Sequence, residues 1–161
     1  MSVSAALLRD PRCCLGLGFG SGLLRPAPGT WGTLASLPFA VGLLQLPTPV
    51  AWLVVAIAAL VGIHLCGHTA EAAGVHDHPA IVWDEFVGMW LTLLFVPFSW
   101  SSLVVGFALF RLFDIVKPWP IRWCDERVAG GLGIMLDDLL AGAFAGVVLW
   151  GIVSTGVLPA I

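Results

Sequence analysis

Residues 84–114 read DEFVGMWLTLLFVPFSWSSLVVGFALFRLFD, and the way the chain traverses this stretch decides the fold. Nothing between Glu85 and Arg111 is charged. The run is long enough for one bilayer crossing at ~20 residues, or for two shorter helices. Pro97-Phe98-Ser99-Trp100-Ser101-Ser102 carries the proline and small polar residues of a turn between helices, which favours two. Asp84 lies thirteen residues before Pro97 and Asp114 fourteen after Trp100. At ~1.5 Å per residue both acids then stand ~20 Å from the same turn, level with each other. A single straight crossing would leave them facing opposite compartments, with no shared site.

The rest of the chain has the same character. Residues 26–70 and 139–161 are also free of Asp, Glu, Lys and Arg, and the carboxylates cluster at the edges of such runs: Asp84-Glu85, Asp114 and Asp137-Asp138. With 59% hydrophobic and 11% charged residues and a mean hydropathy of +1.00, the composition is that of a membrane protein rather than an ordinary soluble domain. The length of 161 residues suits a single domain over 1–161, with residues 1–15 an amino-terminal segment ahead of the first motif. The fold class expected is all-α: a compact bundle of about five main helices, mostly membrane-embedded, with two helical hairpins and short interfacial helices. Pro47-Thr48-Pro49 breaks the first apolar run, giving helices Trp31–Leu46 and Val50–Ala72. The second hairpin is Ala80–Val96 with Ser101–Val116, and a fifth helix runs from Ile134 to Leu158. Residues 16–30, 73–79 and 117–133 connect them.

Charge sets an orientation. All seven basic residues lie within 9–25 or 111–127, and neither hairpin turn is charged. The positive-inside rule makes both basic segments cytoplasmic, and every carboxylate cluster with them. Trp83, Trp119 and Trp123 suit that interface. A net charge of −3 speaks against nucleic acid as a partner, and no obligate protein partner is evident. Met1 to Cys14 does not have the form of a secretory signal, so the amino terminus is expected to stay in the cytoplasm.

An acid beside so much apolar sequence is costly unless it meets a cation. Carboxylate oxygens converging from separate helices suit Mg²⁺, a hard cation that keeps waters or substrate phosphates in its shell. Arg111, Asp114 and Lys117 follow at steps of three, so guanidinium, carboxylate and ammonium share one helical surface. Asp137 and Asp138 point about 100 degrees apart, so one can face a metal while the other caps a helix; which does so stays open, as it does for Asp84 and Glu85. Thr30 is a candidate cap for a helix end that would attract an anion. Gly18-Phe19-Gly20-Ser21-Gly22 lacks the third glycine of a dinucleotide loop, Leu23 standing in its place. His64 and His68 are one helical turn apart without the glutamate of a zinc protease, and His76-Asp77-His78 reads as a loop end that caps the next helix. Cys13, Cys14, Cys66 and Cys124 show no C-x-x-C spacing, so neither a zinc nor a disulfide framework is expected.

Taken together, Gly18–Gly22 with Pro28-Gly29-Thr30, then residues 74–78 leading into Ile81–Trp90, Phe110–Trp123 and Gly130–Asp138 resemble the phosphatidylglycerophosphatase A family of the bacterial inner membrane, over residues 16–146. The resemblance implies a Mg²⁺-dependent lipid phosphatase that converts phosphatidylglycerophosphate to phosphatidylglycerol, in a multi-pass inner-membrane protein whose active site faces the cytoplasm. No D-x-D-x-T, Cys-x5-Arg or Lys-x6-Arg-Pro motif offers a covalent nucleophile, so a metal-activated water is the expected attacker. On that reading Asp84, Asp114 and one of Asp137 or Asp138 hold Mg²⁺, and Arg111 and Lys117, helped by Arg122 or the Thr30 helix end, neutralise the phosphoryl group. Glu85 or the remaining aspartate orients or deprotonates the water. The alternative is a small ion or proton transporter using the same carboxylates. Arg111 and Lys117 discriminate, since a phosphate needs them and a cation pathway would be repelled.

Overall fold

The computed structural model describes residues 4–75 and 78–158; His76 and Asp77, expected to cap a helix, lie outside them. The described residues form helices and connecting turns, with no strand among them. Short 3₁₀ turns at Ala5–Arg9 and Gly18–Leu23 flank α1 (Pro11–Gly16). The bundle is built from α2 (Pro28–Leu43), α3 (Thr48–Ala73), α4 (Trp83–Leu93), α5 (Trp100–Val116), α6 (Ile121–Arg127) and α7 (Gly130–Ser154).

The turn expected after Val96 is present. Ser99 caps α5, its Oγ accepting from the Ser102 amide at 3.0 Å, and α4 and α5 run back against each other. The first hairpin is different. Pro47 and its neighbours do reverse the chain, but α2 packs chiefly on α4, and α3 on α7 and α4. Sequence neighbours are separated here because α4, buried on nearly every side, occupies the centre.

Proline and glycine account for two start points that sequence patterning misplaces. Pro28-Gly29 reads as loop, yet a proline in the first turn sacrifices no helical hydrogen bond, and α2 starts at Pro28. α7 begins at Gly130, four residues before Ile134, although glycines weaken helices. Packing overrides propensity there: a Cβ on Gly131 would strike the Ile63 carbonyl, and one on Gly133 the Val128 carbonyl. Farther along, Gly142 meets the Gly88 carbonyl with no room for a side chain, and Thr92 Oγ1 donates to the carbonyls of Gly88 at 2.9 Å and Gly142 at 3.2 Å. Small residues of this kind let two helix backbones approach, and they set α7 directly against α4.

Indoles fasten α4 to its other neighbours. Trp83 Nε1 donates to Ala58 O on α3 at 3.2 Å, and Trp90 Nε1 to Ser36 O on α2 at 3.1 Å. Trp83 thus packs inside, stacked on Phe86, while Trp119 at 81% exposure and Trp123 at 50% stand outside. The short helix α6, within the stretch expected to connect, carries Trp123 and packs on α7. Both α3 and α7 are long and apolar enough to cross a membrane, with mean hydropathies of 2.3 and 1.9 in their most apolar windows.

Candidate active site

The α4–α5 turn and the Gly88–Gly142 contact determine where the acids end up. Asp84 and Glu85 occupy the first turn of α4, Arg111 and Asp114 the last turns of α5, and Lys117 the position after it. Asp137 and Asp138 lie two turns into α7. All seven line one cavity of about 320 Å³, closed on one side by Ala27, Pro28 and Gly29 at the start of α2. With the helix starting at Gly130, neither Asp137 nor Asp138 caps it, and the helix dipole does not account for them, because its influence fades beyond the first turn.

Two cations hold three of the five cavity acids. Arg111 Nη1 lies 2.6 Å from Asp114 Oδ2 and 3.2 Å from Glu85 Oε1, and donates to Thr33 Oγ1 at 3.4 Å. Lys117 Nζ lies 2.6 Å from Asp137 Oδ2 and 2.8 Å from Asp125 Oδ1. Burial works against the Lys117 ammonium, but the bonds to Asp125 and Asp137 outweigh it and hold its pKa above the usual lysine value. Asp137 is fully engaged, since its Oδ1 accepts from the Asp138 amide at 3.0 Å. Asp138 is not. Only 3% exposed, it leaves Oδ2 buried without a hydrogen-bond partner. Glu85 Oε2 is likewise buried and partnerless, pressed towards the α2 backbone where a Cβ on Gly29 or Gly32 would collide with the carboxylate. Those two glycines are what admit Glu85 beside α2.

Several expected residues take other places. Thr30 sits inside the first turn of α2 and does not line the cavity; the cap position belongs to Ala27, and no side chain caps α2. The hydroxyl that reaches Arg111 is that of Thr33, whose Oγ1 donates to Gly29 O at 2.9 Å. Arg122 points away, paired with Glu126 at 2.9 Å on the exposed face of α6. Asp125, three residues after Arg122, was not anticipated, because nothing in its local spacing reveals that it meets Lys117. The glycine-rich segment 18–22 also lies off the cavity: Gly22 packs on the Ala80 carbonyl and Gly18 on Val82 and Phe86, supporting the entry to α4. Glu85, Asp114 and Asp137 are drawn onto Arg111 and Lys117 rather than onto one another. No three of the cavity acids bring ligand atoms within 4.8 Å of one another.

Comparison with known proteins gives the family. The family model for Phosphatidylglycerophosphatase A matches residues 14–153. Phosphatidylglycerophosphatase A of Haemophilus influenzae is 49% identical over 147 residues, covering 90% of each chain. The protein of that name from Escherichia coli is 47% identical over 144 residues, 89% of this chain and 84% of its own. A protein from Bacteroides thetaiotaomicron, provisionally named a phosphatidylinositol-3-phosphatase, is 42% identical over 139 residues, 81% of this chain and 86% of its own. No solved structure matches. With nearly its whole length aligned to these proteins, and its acids and cations gathered at one cavity, the chain belongs to the phosphatidylglycerophosphatase A family.

Proposed function

We propose that this chain hydrolyses the terminal phosphomonoester of phosphatidylglycerophosphate, releasing phosphate and phosphatidylglycerol, with Mg²⁺ as cofactor. The observation that carries the reading is the partnerless, buried Asp138 Oδ2 opening onto a cavity with four further acids. Five carboxylates against two cations leave that cavity negative, so on its own it would repel a phosphate dianion. A bound divalent cation reverses the balance, and an all-oxygen donor set fits Mg²⁺. Although no three cavity acids bring ligand atoms within 4.8 Å of one another, Asp84, Asp114 and Asp138 are the acids that would close on it, because Asp137 already spends both oxygens on Lys117 and the Asp138 amide. When bound, the ion would polarise the phosphoryl group and acidify water.

The remaining groups act on the substrate directly. Arg111, steadied by Glu85 and Thr33, and Lys117, steadied by Asp125 and Asp137, supply the positive charge that follows the phosphoryl oxygens into the transition state. The water proton passes to Glu85, the acid outside the metal set whose Oε2 has no hydrogen-bond partner. Water adds to phosphorus, the bond to the glycerol oxygen breaks, and the acid that took the water proton returns it to that oxygen, which leaves as the new hydroxyl of phosphatidylglycerol. Arg111 and Lys117 at the cavity favour this reading over transport of a cation.

The surface supports a membrane location. On α3 a broad apolar face is exposed, Trp52, Leu53, Ile57, Leu60 and Val61 among it, and Val147 and Trp150 continue the pattern on α7. We read the protein as multi-pass in the inner membrane, with the cavity on the cytoplasmic side beside Lys117 and Arg122. Trp119 and Trp123 then stand at headgroup level, where the phosphomonoester of the lipid lies.

The test is phosphate release from phosphatidylglycerophosphate in detergent micelles by purified protein. Activity that requires Mg²⁺ and vanishes with EDTA is expected, and full activity in EDTA would overturn the metal assignment. Hydrolysis of phosphatidylinositol 3-phosphate in preference to phosphatidylglycerophosphate would overturn the substrate.

A further inference from the structure

A second group of side chains, remote in sequence from the cavity acids, has the chemistry of a ligand set. Asp10 caps α1, Cys13 follows one turn later on the same helix, and His68 faces them from α3. His68 Nε2 lies 3.0 Å from Asp10 Oδ2. Among the described residues, Asp10, Cys13 and His68 are the group whose ligand atoms all lie within 4.8 Å of one another. We propose that these three residues form a second metal site, for a borderline-soft divalent cation such as Zn²⁺, that ties α1 to α3.

The donor set argues for zinc rather than magnesium. One thiolate, one imidazole and one carboxylate are zinc's usual ligands, and magnesium takes oxygen alone. Zinc bonds of ~2.0–2.3 Å set tetrahedral ligands ~3.3–3.8 Å apart, so closing around the ion takes movements of about an ångström. Asp10 and His68 have that freedom, being 32% and 29% exposed. Cys13 is fully buried and fixed. The approach from solvent is therefore past Asp10 and His68, which leaves the fourth position to water.

The platform is stiff. Gly16 packs so closely on Thr69 that a Cβ would strike the threonine hydroxyl, and Val82 N donates to Gly16 O at 2.9 Å. Such support holds the α1 and α3 ligands in register before any ion arrives. Charge also balances: a carboxylate and a thiolate neutralise one divalent ion. Asp10 is already anionic, since His68 and then Arg12 hold its carboxyl well below the usual range. Burial pushes the Cys13 thiol up, so binding expels its proton to solvent, and affinity must rise with pH. Arg12, at 3.2 Å from Asp10 Oδ2, opposes the ion, but it is 64% exposed and free to swing away.

The readout is Co²⁺ titration of the full chain in detergent micelles. One equivalent should raise a thiolate-to-cobalt charge-transfer band with the visible bands of a tetrahedral ion, and Zn²⁺ should bleach both. Oxygen ligands at the cavity give no such band, so the outcome is independent of phosphatase activity. Cys13→Ser should abolish it, His68→Gln should weaken Zn²⁺ at least ~10-fold in competition with a chelator, and Cys14→Ala should change neither. No thiolate band in the native chain, or unchanged affinity in His68→Gln, would overturn the site. The His68 variant keeps the test decisive if Cys13→Ser does not fold.

Discussion

The Lys117 ammonium meets the Asp137 carboxylate at 2.6 Å, joining the end of α5 to the third helix turn of α7. The backbone pays for this, because Lys117 adopts φ 45°, a left-handed conformation that costs a side-chain-bearing residue roughly 1–2 kcal/mol. Asp125 on α6 supplies the second contact that holds the ammonium in place. Replacing Lys117 with Met should lower kcat ~10²–10³-fold, the range for one lost transition-state donor. Asp125→Asn, which only loosens the lysine, should cost far less. Equal losses in the two variants, measured by phosphate release, would contradict the division of roles.

Asp138 presents the opposite situation, a buried carboxylate oxygen without a hydrogen-bond partner. Burying a carboxyl oxygen with nothing to pair it destabilises the metal-free fold. Asp138→Asn should therefore abolish activity yet leave thermal stability in EDTA equal to or above that of the native chain. Mg²⁺ should raise the melting temperature of the native chain and not of the variant. A variant that loses stability in EDTA would mean that Asp138 has a structural partner.

Arg111 reaches three groups on three helices: Asp114, Glu85 and Thr33. A planar guanidinium with several donors can do this, whereas a lysine offers a single point charge. Arg111→Lys should keep the fold and lose at least ~10-fold in kcat/KM, as expected for a forked contact that is not conserved by charge alone. Near-native turnover would show that only the charge matters.

What could be read beforehand depended on whether a signal was local. Pro97 through Ser102 announces its turn through residue types, and the level of Asp84 and Asp114 follows from counting along two helices. Thr33 and Asp125 escape such counting, because whether a side chain reaches Arg111 or Lys117 depends on how helices rotate against one another. Thr30 reads by motif as the cap of a helix end; the helix start at Pro28 puts it inside the first turn, and it is Thr33 that reaches Arg111. Asp10, Cys13 and His68 stayed hidden for a related reason. Metal-ligand spacing rules read neighbours, and His68 lies 58 residues from Asp10.

The α4–α7 contact is the packing on which the site's geometry depends most directly. Gly142 abuts the Gly88 carbonyl, which belongs to backbone and cannot rotate aside. Gly142→Ala must push α7 away from α4, and overpacking of this kind costs about 1–3 kcal/mol. Gly151 on the same helix has nothing within 4 Å of an added Cβ, so Gly151→Ala should be neutral or slightly stabilising through helix propensity. Separation of the helices also carries Asp137 and Asp138 away from Asp84 and Glu85, so the Gly142 variant should need more Mg²⁺ for half-maximal activity. Thermal unfolding and Mg²⁺ titration of the two variants side by side test both consequences. Equal behaviour would show that the close approach at Gly88 and Gly142 does not position the acids.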